Sequence, residues 1–167
     1  IIYRQGLTLD AALAALQEGL KFHPNALHLK IDSLRLKAKL EPESLDSAEL
    51  DELVGAHPRA EPAQALRLEL LTRLGRAEAA DAAQAFLAAF PDSPRALAAA
   101  AREAARAGQQ EEAARLYRQL LASGAGDLSH ALQLARACRA AGDLAGVEEA
   151  LEQLQSFPPS ARRDRLS

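Results

Sequence analysis

Pro24, Pro58, Pro91 and Pro158 stand 34, 33 and 67 residues apart. The last interval is two steps of about 33.5, in the range of stacked helical repeats. Its missing midpoint falls near Ser123-Gly124-Ala125-Gly126, where glycine replaces proline as the breaker. A fixed period of this kind marks units that cannot bury their apolar faces alone and do so by stacking. It therefore predicts an extended helical array with a long surface for holding other molecules.

Composition agrees. The 167 residues give room for one ordinary domain or one short solenoid. Alanine, leucine, arginine and glutamate dominate, and all are good helix formers. Aromatic residues are only 4% of the chain, so small alanines rather than large rings must set the helix spacing. A net charge of −3 fits neither a nucleic-acid binder nor a strongly acidic tail. No apolar run approaches the ~18–20 residues that span a bilayer. The single cysteine, Cys138, cannot form an intrachain disulfide, which leaves bacterial cytoplasm and periplasm both open. The absence of methionine suggests a piece of a longer chain, and the alanine, leucine and arginine usage suggests a GC-rich bacterium.

Breakers and caps place nine helices. Asp10 is placed to cap Ala11 to Phe22, which His23-Pro24 ends, since the residue before proline disfavours helical geometry. Asn25 is placed to cap a helix to Lys39, with Leu27, Ile31, Leu34 and Ala38 on one stripe. Glu41-Pro42-Glu43 breaks it, and Ser47 is placed to cap a helix to about Ala56. Pro62 suits the first turn of a helix over Ala63 to Leu74, and a further helix runs to Phe90. Ser93-Pro94 opens one that stops at Gly108, and Gln110 to Ala122 follows. Asp127 or Ser129 starts the next, Gly142 ends it, and Asp143 caps a last helix up to Phe157.

Gly75, Gly108 and Gly142 repeat at intervals of 33 and 34, with Ala113 and Tyr117 five and nine residues after Gly108. Ala12, Leu16, Gly19 and Pro24 match Ala79, Ala83, Phe86 and Pro91 at identical offsets. In these residues the chain resembles the tetratricopeptide repeat family, most closely over Ala107 to Tyr117. Leu97 and Ala131 stand where the family places a large aromatic near the start of its first helices. The pair from 25 to 58 has no turn glycine. The resemblance implies an all-α fold, a right-handed α-solenoid of stacked antiparallel helix pairs with about four and a half repeats. The expected units are 1–24 (partial), 25–58, 59–91, 92–125 and 126–158, making one repeat domain over 1–158 with a polar tail at 159–167.

No catalytic set emerges, and no metal or other cofactor is expected. His23 and His57 each precede a repeat-closing proline, which reads as a structural place near helix-end carbonyls. Ser129 and His130 are adjacent on a helix and point about 100° apart, so they cannot act as nucleophile and base. Cys138 reads as a small core residue. Gly124-Ala125-Gly126 lacks the lysine and preceding strand of a phosphate loop. Glu111-Glu112 and Glu148-Glu149 read as charge complementing helix starts.

One constellation points to binding. The family resemblance puts the first helix of each pair on the concave surface. Aligned by the turn glycines, Arg35, Glu69, Arg102 and Arg136 share a mid-helix position. Lys39, Arg73 and Arg106 share a later one, with Arg139 one residue before its equivalent. Cations at helix ends complement the macrodipole, but the mid-helix arginines need another reason. Arginine grips carboxylate or phosphate through paired hydrogen bonds. The carboxylate clamp by which some family members dock chaperone C-termini uses asparagine at that mid-helix position, which argues against that role here.

The expectation is thus a non-catalytic scaffold holding a protein or peptide segment of acidic character, with no nucleic acid bound. Two alternatives follow. In one, the chain is the substrate-recruiting or assembly region of a larger bacterial enzyme or of an envelope, secretion or exopolysaccharide system. In the other it self-associates as a homodimer through its open N-terminal end, where Leu13, Leu16 and Leu20 would otherwise face solvent.

Overall fold

The computed structural model describes residues 8–157; Pro158 and the tail expected at 159–167 lie outside them. Among the described residues there are nine α-helices and no strand: α1 (Leu9–Phe22), α2 (Leu27–Leu40), α3 (Ser47–Ala56), α4 (Glu61–Arg73), α5 (Ala79–Ala89), α6 (Pro94–Arg106), α7 (Gln110–Ala122), α8 (Leu128–Ala141) and α9 (Leu144–Ser156). They gather into two units, one reaching to Ala82 and one beginning at Ala83.

The punctuation read from the sequence decides most helix ends. Ser93 accepts a hydrogen bond from Ala96 N at 3.2 Å, with Pro94 in the first turn. Asp143 accepts from Gly146 N at 2.9 Å. Gly75, Gly108 and Gly142 take φ of 64°, 77° and 76°, the left-handed region that costs an L side chain dearly. His23 and His57 hold matching backbone conformations as C-caps of α1 and α3, and each donates its backbone N–H to the final turn.

Asp46, not Ser47, caps α3 by accepting from Ala48 N at 3.0 Å, and two further expected caps are corrected. Thr8, not Asp10, caps α1 by accepting from Ala11 N, and Asp10 lies inside the first turn. Asn25 does not cap α2; the chain turns through Ala26, whose N–H donates to His23 O, and no side chain caps that helix. In both places the polar residue nearest the apolar run sits one or two positions from where the backbone turns. At Ser129 the cap is Asp127, which accepts from the N–H groups of Ser129 and His130.

In the first unit α1 packs on α2 through Ala12, Leu16 and Leu36. Leu16 is buried, and Leu13 and Leu20 are half-buried. Leu16 is thus covered by α2, while Leu13 and Leu20 stay partly open to solvent. Leu36, outside the stripe expected for α2, is buried, while Leu27 and Leu34 are only half-buried. The α2–α3 connection has no turn glycine; it forms a single 3₁₀ turn, Pro42–Ser44, followed by buried Leu45. Leu50 and Leu53 of α3 and Leu66, Leu70 and Leu71 of α4 are buried as well, outside that cluster.

The second unit is layered on alanine. Ala96, Ala100, Ala101 and Ala104 of α6, Ala113 and Ala114 of α7, and Ala131 and Ala137 of α8 are all buried. Their small side chains let successive helices approach closely, while Leu97, Leu116, Tyr117, Leu120 and Leu134 fill the remaining volume. Phe86 is buried against Phe90, edge to face, with centroids 5.8 Å apart.

Arg118 ties the last three helices together. Its guanidinium donates to Glu149 Oε2 and Asp143 Oδ2, both at 2.8 Å, and approaches Cys138 Sγ at 3.6 Å. A Cβ on Gly146 would collide with Arg118 Nη2 and Asp143 Oδ2 and lie 2.7 Å from Cys138 Sγ. Helix propensity favours alanine over glycine by about 1 kcal/mol, but overpacking a filled site costs about 1–3 kcal/mol. Gly146→Ala is expected to lower stability by a net ~0–2 kcal/mol, measured by urea unfolding. A gain in stability would show that the Arg118 network moves aside at no cost.

The caps predict an acid limb. Burial pushes the Asp127 carboxyl up, but hydrogen bonds from Ser129 and His130 outweigh it and hold the group below its ordinary value. Asp143 is held down chiefly by its hydrogen bond from Arg118. A carboxylate held below its unfolded value stabilises the fold above about pH 4, and that contribution is lost as pH falls through the folded value. Helix content followed by circular dichroism is therefore expected to fall steeply below about pH 4, and less steeply in Asp143→Asn, which has no charge to lose.

Candidate functional site

The sequence assembled eight positions on the first helices, and the two units treat them differently. In the first unit, Arg35 of α2 and Glu69 of α4 meet, Arg35 Nη2 donating to Glu69 Oε2 at 3.0 Å. Side chains one repeat apart at the same register therefore touch. The contact also neutralises that rung, so Arg35 and Glu69 offer a ligand no net charge. Lys39 and Arg73 are exposed in the last turns of α2 and α4, where the helix dipole favours cations. Neither has an ion pair among the described residues.

In the second unit, Arg102 of α6 and Arg136 and Arg139 of α8 are exposed and have no ion pair among the described residues. Arg106 is held by Glu103, one turn earlier, at 2.6 Å. Arg106 and Arg139 occupy last turns and are accounted for by the dipole. Arg102 and Arg136 are not. One turn before Arg136, Leu132 is 38% exposed, and side chains four apart share a helix face. A cation and an apolar contact thus stand side by side on α8.

Tyr117 lies beneath this surface. Its side chain is buried, and its ring centroid is 6.2 Å from that of His130. Burial pushes the phenol up, while Arg102 and Arg106 are close enough to pull it partly back. His130 is fixed as well, its Nδ1 accepting the Asp127 backbone N–H at 3.1 Å and lying 2.9 Å from Asp127 Oδ1. Leu132 and the environment of Tyr117 were not singled out in the sequence. The signal for Leu132 was its place four residues before an arginine at a repeat-equivalent position.

Elsewhere the chemistry is structural. Among the described residues no group of three His, Cys, Asp or Glu side chains is placed to hold a metal ion. Cys138 is fully buried, and burial pushes its thiol up despite nearby Arg118, the reverse of what a reactive thiolate needs. The His57 ring Nε2 is buried without a hydrogen-bond partner among the described residues. No described helix is long and apolar enough to cross a membrane.

No protein-family profile and no curated protein sequence matches the chain. Solved structures do. MamA residues 41 to the end from Desulfovibrio magneticus RS-1 superposes with a TM-score of 0.74 at 16% identity, over 99% of this chain and 91% of that one. TTC0263, a thermophilic TPR protein in Thermus thermophilus, gives 0.62 at 20% identity, over 96% and 90%. YrrB, a TPR protein with an unusual peptide-binding site, gives 0.70 at 13% identity, over 95% and 84%. The fold is the tetratricopeptide-repeat solenoid. In a tetratricopeptide-type reading α2, α4, α6 and α8 are first helices and α3, α5, α7 and α9 second helices, with α1 the second helix of a partial unit.

Proposed function

We propose that this chain is a non-catalytic scaffold that holds a protein segment of acidic character on the exposed face of its first helices α6 and α8. The observation that carries the reading is the pair Arg102 and Arg136. Both are exposed, mid-helix, at equivalent repeat positions and without an ion pair among the described residues. A guanidinium left free to solvent keeps its full capacity for a bidentate contact with a carboxylate. Leu132 adds an apolar contact beside Arg136, so the preferred segment carries acidic residues next to an aliphatic one. The reading centres on these two of the eight positions, because Arg35 is paired with Glu69 and Arg106 with Glu103, and Lys39, Arg73 and Arg139 lie in last turns that the helix dipole accounts for. The repeat units are proposed to divide near residues 24, 58, 91 and 125. The peptide-binding site of YrrB supports the class of ligand. Charge reversal at Arg102 and Arg136, with capture of an acidic peptide as the readout, tests the proposal.

A further inference from the structure

The first unit holds a cleft that the arginine surface does not use. It encloses about 190 Å³ and is walled by Leu20 of α1, Leu34 of α2 and Leu53 of α3. Lys30 and Ser33 stand on its α2 side and Glu49 and Glu52 on its α3 side. Glu49 is engaged by Lys37, Nζ to Oε1 at 2.5 Å. Lys30 and Glu52 have no ion pair among the described residues, although Lys30 is half-buried. Lys30 therefore keeps its capacity for a charge-assisted hydrogen bond, which an incoming carboxylate would accept.

We propose that this cleft is a second peptide-docking site, which takes one leucine-sized side chain flanked by a basic group and an acidic group. The leucine enters between Leu20, Leu34 and Leu53. The acidic group meets Lys30, and the basic group meets Glu52. The volume decides the size: a closed apolar cavity of about 150 Å³ accepts benzene, so about one side chain fits here. The opposed charges decide the flanks, because only a ligand with both signs satisfies both walls at once. This ligand carries a basic group that the acidic and aliphatic segment proposed for α6 and α8 lacks, and either site can fail without the other.

The test is a ¹⁵N–¹H correlation titration of the whole chain with acetyl-Lys-Leu-Glu-amide and acetyl-Lys-Ala-Glu-amide. The leucine peptide is expected to shift amides around Leu34 and Leu53 and to bind about tenfold more tightly than the alanine peptide. Glu52→Lys, an exposed substitution, is expected to weaken the leucine peptide severalfold while leaving the spectrum of the fold intact. Absence of shifts at the cleft, equal affinity for the two peptides, or no effect of Glu52→Lys would each overturn the proposal. Shifts of the same amides on concentrating the protein alone would assign the cleft to a second copy of the chain, and would overturn it too.

Discussion

Replacing Arg102 and Arg136 together with glutamate is expected to weaken binding of an acidic peptide by at least about a hundredfold. A hydrogen bond to a charged group contributes about 1.5–3 kcal/mol, and a factor of ten corresponds to about 1.4 kcal/mol. Two lost contacts therefore suffice, before repulsion by the new carboxylates is added. Both side chains are exposed and carry no ion pair among the described residues, so the substitutions should change stability by no more than about 0.5 kcal/mol. Far-UV circular dichroism and urea unfolding provide that control. Arg35→Glu is the matched comparison: it breaks the pair with Glu69 but is expected to leave peptide affinity within about twofold. A loss at Arg35 about half, in free energy, of that at the Arg102–Arg136 pair would mean that binding follows net charge rather than a site.

Tyr117→Ala is expected to cost about 3–5 kcal/mol, the range for removing a buried aromatic side chain. Tyr117 is 1% exposed, in a unit rich in buried alanines that cannot grow to fill the space. Domain stabilities run at about 5–15 kcal/mol, so this one change removes a large share of the total. Tyr117→Phe keeps the ring and should cost about 1 kcal/mol or less, since the hydroxyl has no hydrogen bond among the described residues. A large loss in Tyr117→Phe as well would move the importance of the residue from its ring to its phenol, beside Arg102 and Arg106.

Much of the fold was legible because repeats state each rule several times. Glycines at 75, 108 and 142 are needed wherever a short turn requires positive φ, and no other residue meets that need as cheaply. The α7 helix ran from Gln110 to Ala122 as expected. What failed was local. Thr8, Asp10 and Asn25 all suit a cap by residue type, and only the geometry of the incoming chain decides among them. The site was legible in position but not in state. Alignment brought Arg35 and Glu69 to one register, and opposite charges one repeat apart on neighbouring first helices will pair; that consequence was available and was missed. Arg118 with Asp143 and Glu149 was not available, since separations of 25 and 31 residues follow no repeat offset. The α1–α2–α3 cleft likewise depends on how Leu45 and the 3₁₀ turn seat α3, which no periodicity reports.

The most direct measurement follows the arginine Nε–Hε signals of the whole chain by NMR during titration with a peptide of alternating glutamate and leucine. The proposed function predicts that the Arg102 and Arg136 signals shift together along one binding curve, and that Arg35 stays still while paired with Glu69. Saturable binding that moves Arg35 or other arginines and leaves Arg102 and Arg136 unchanged would contradict it.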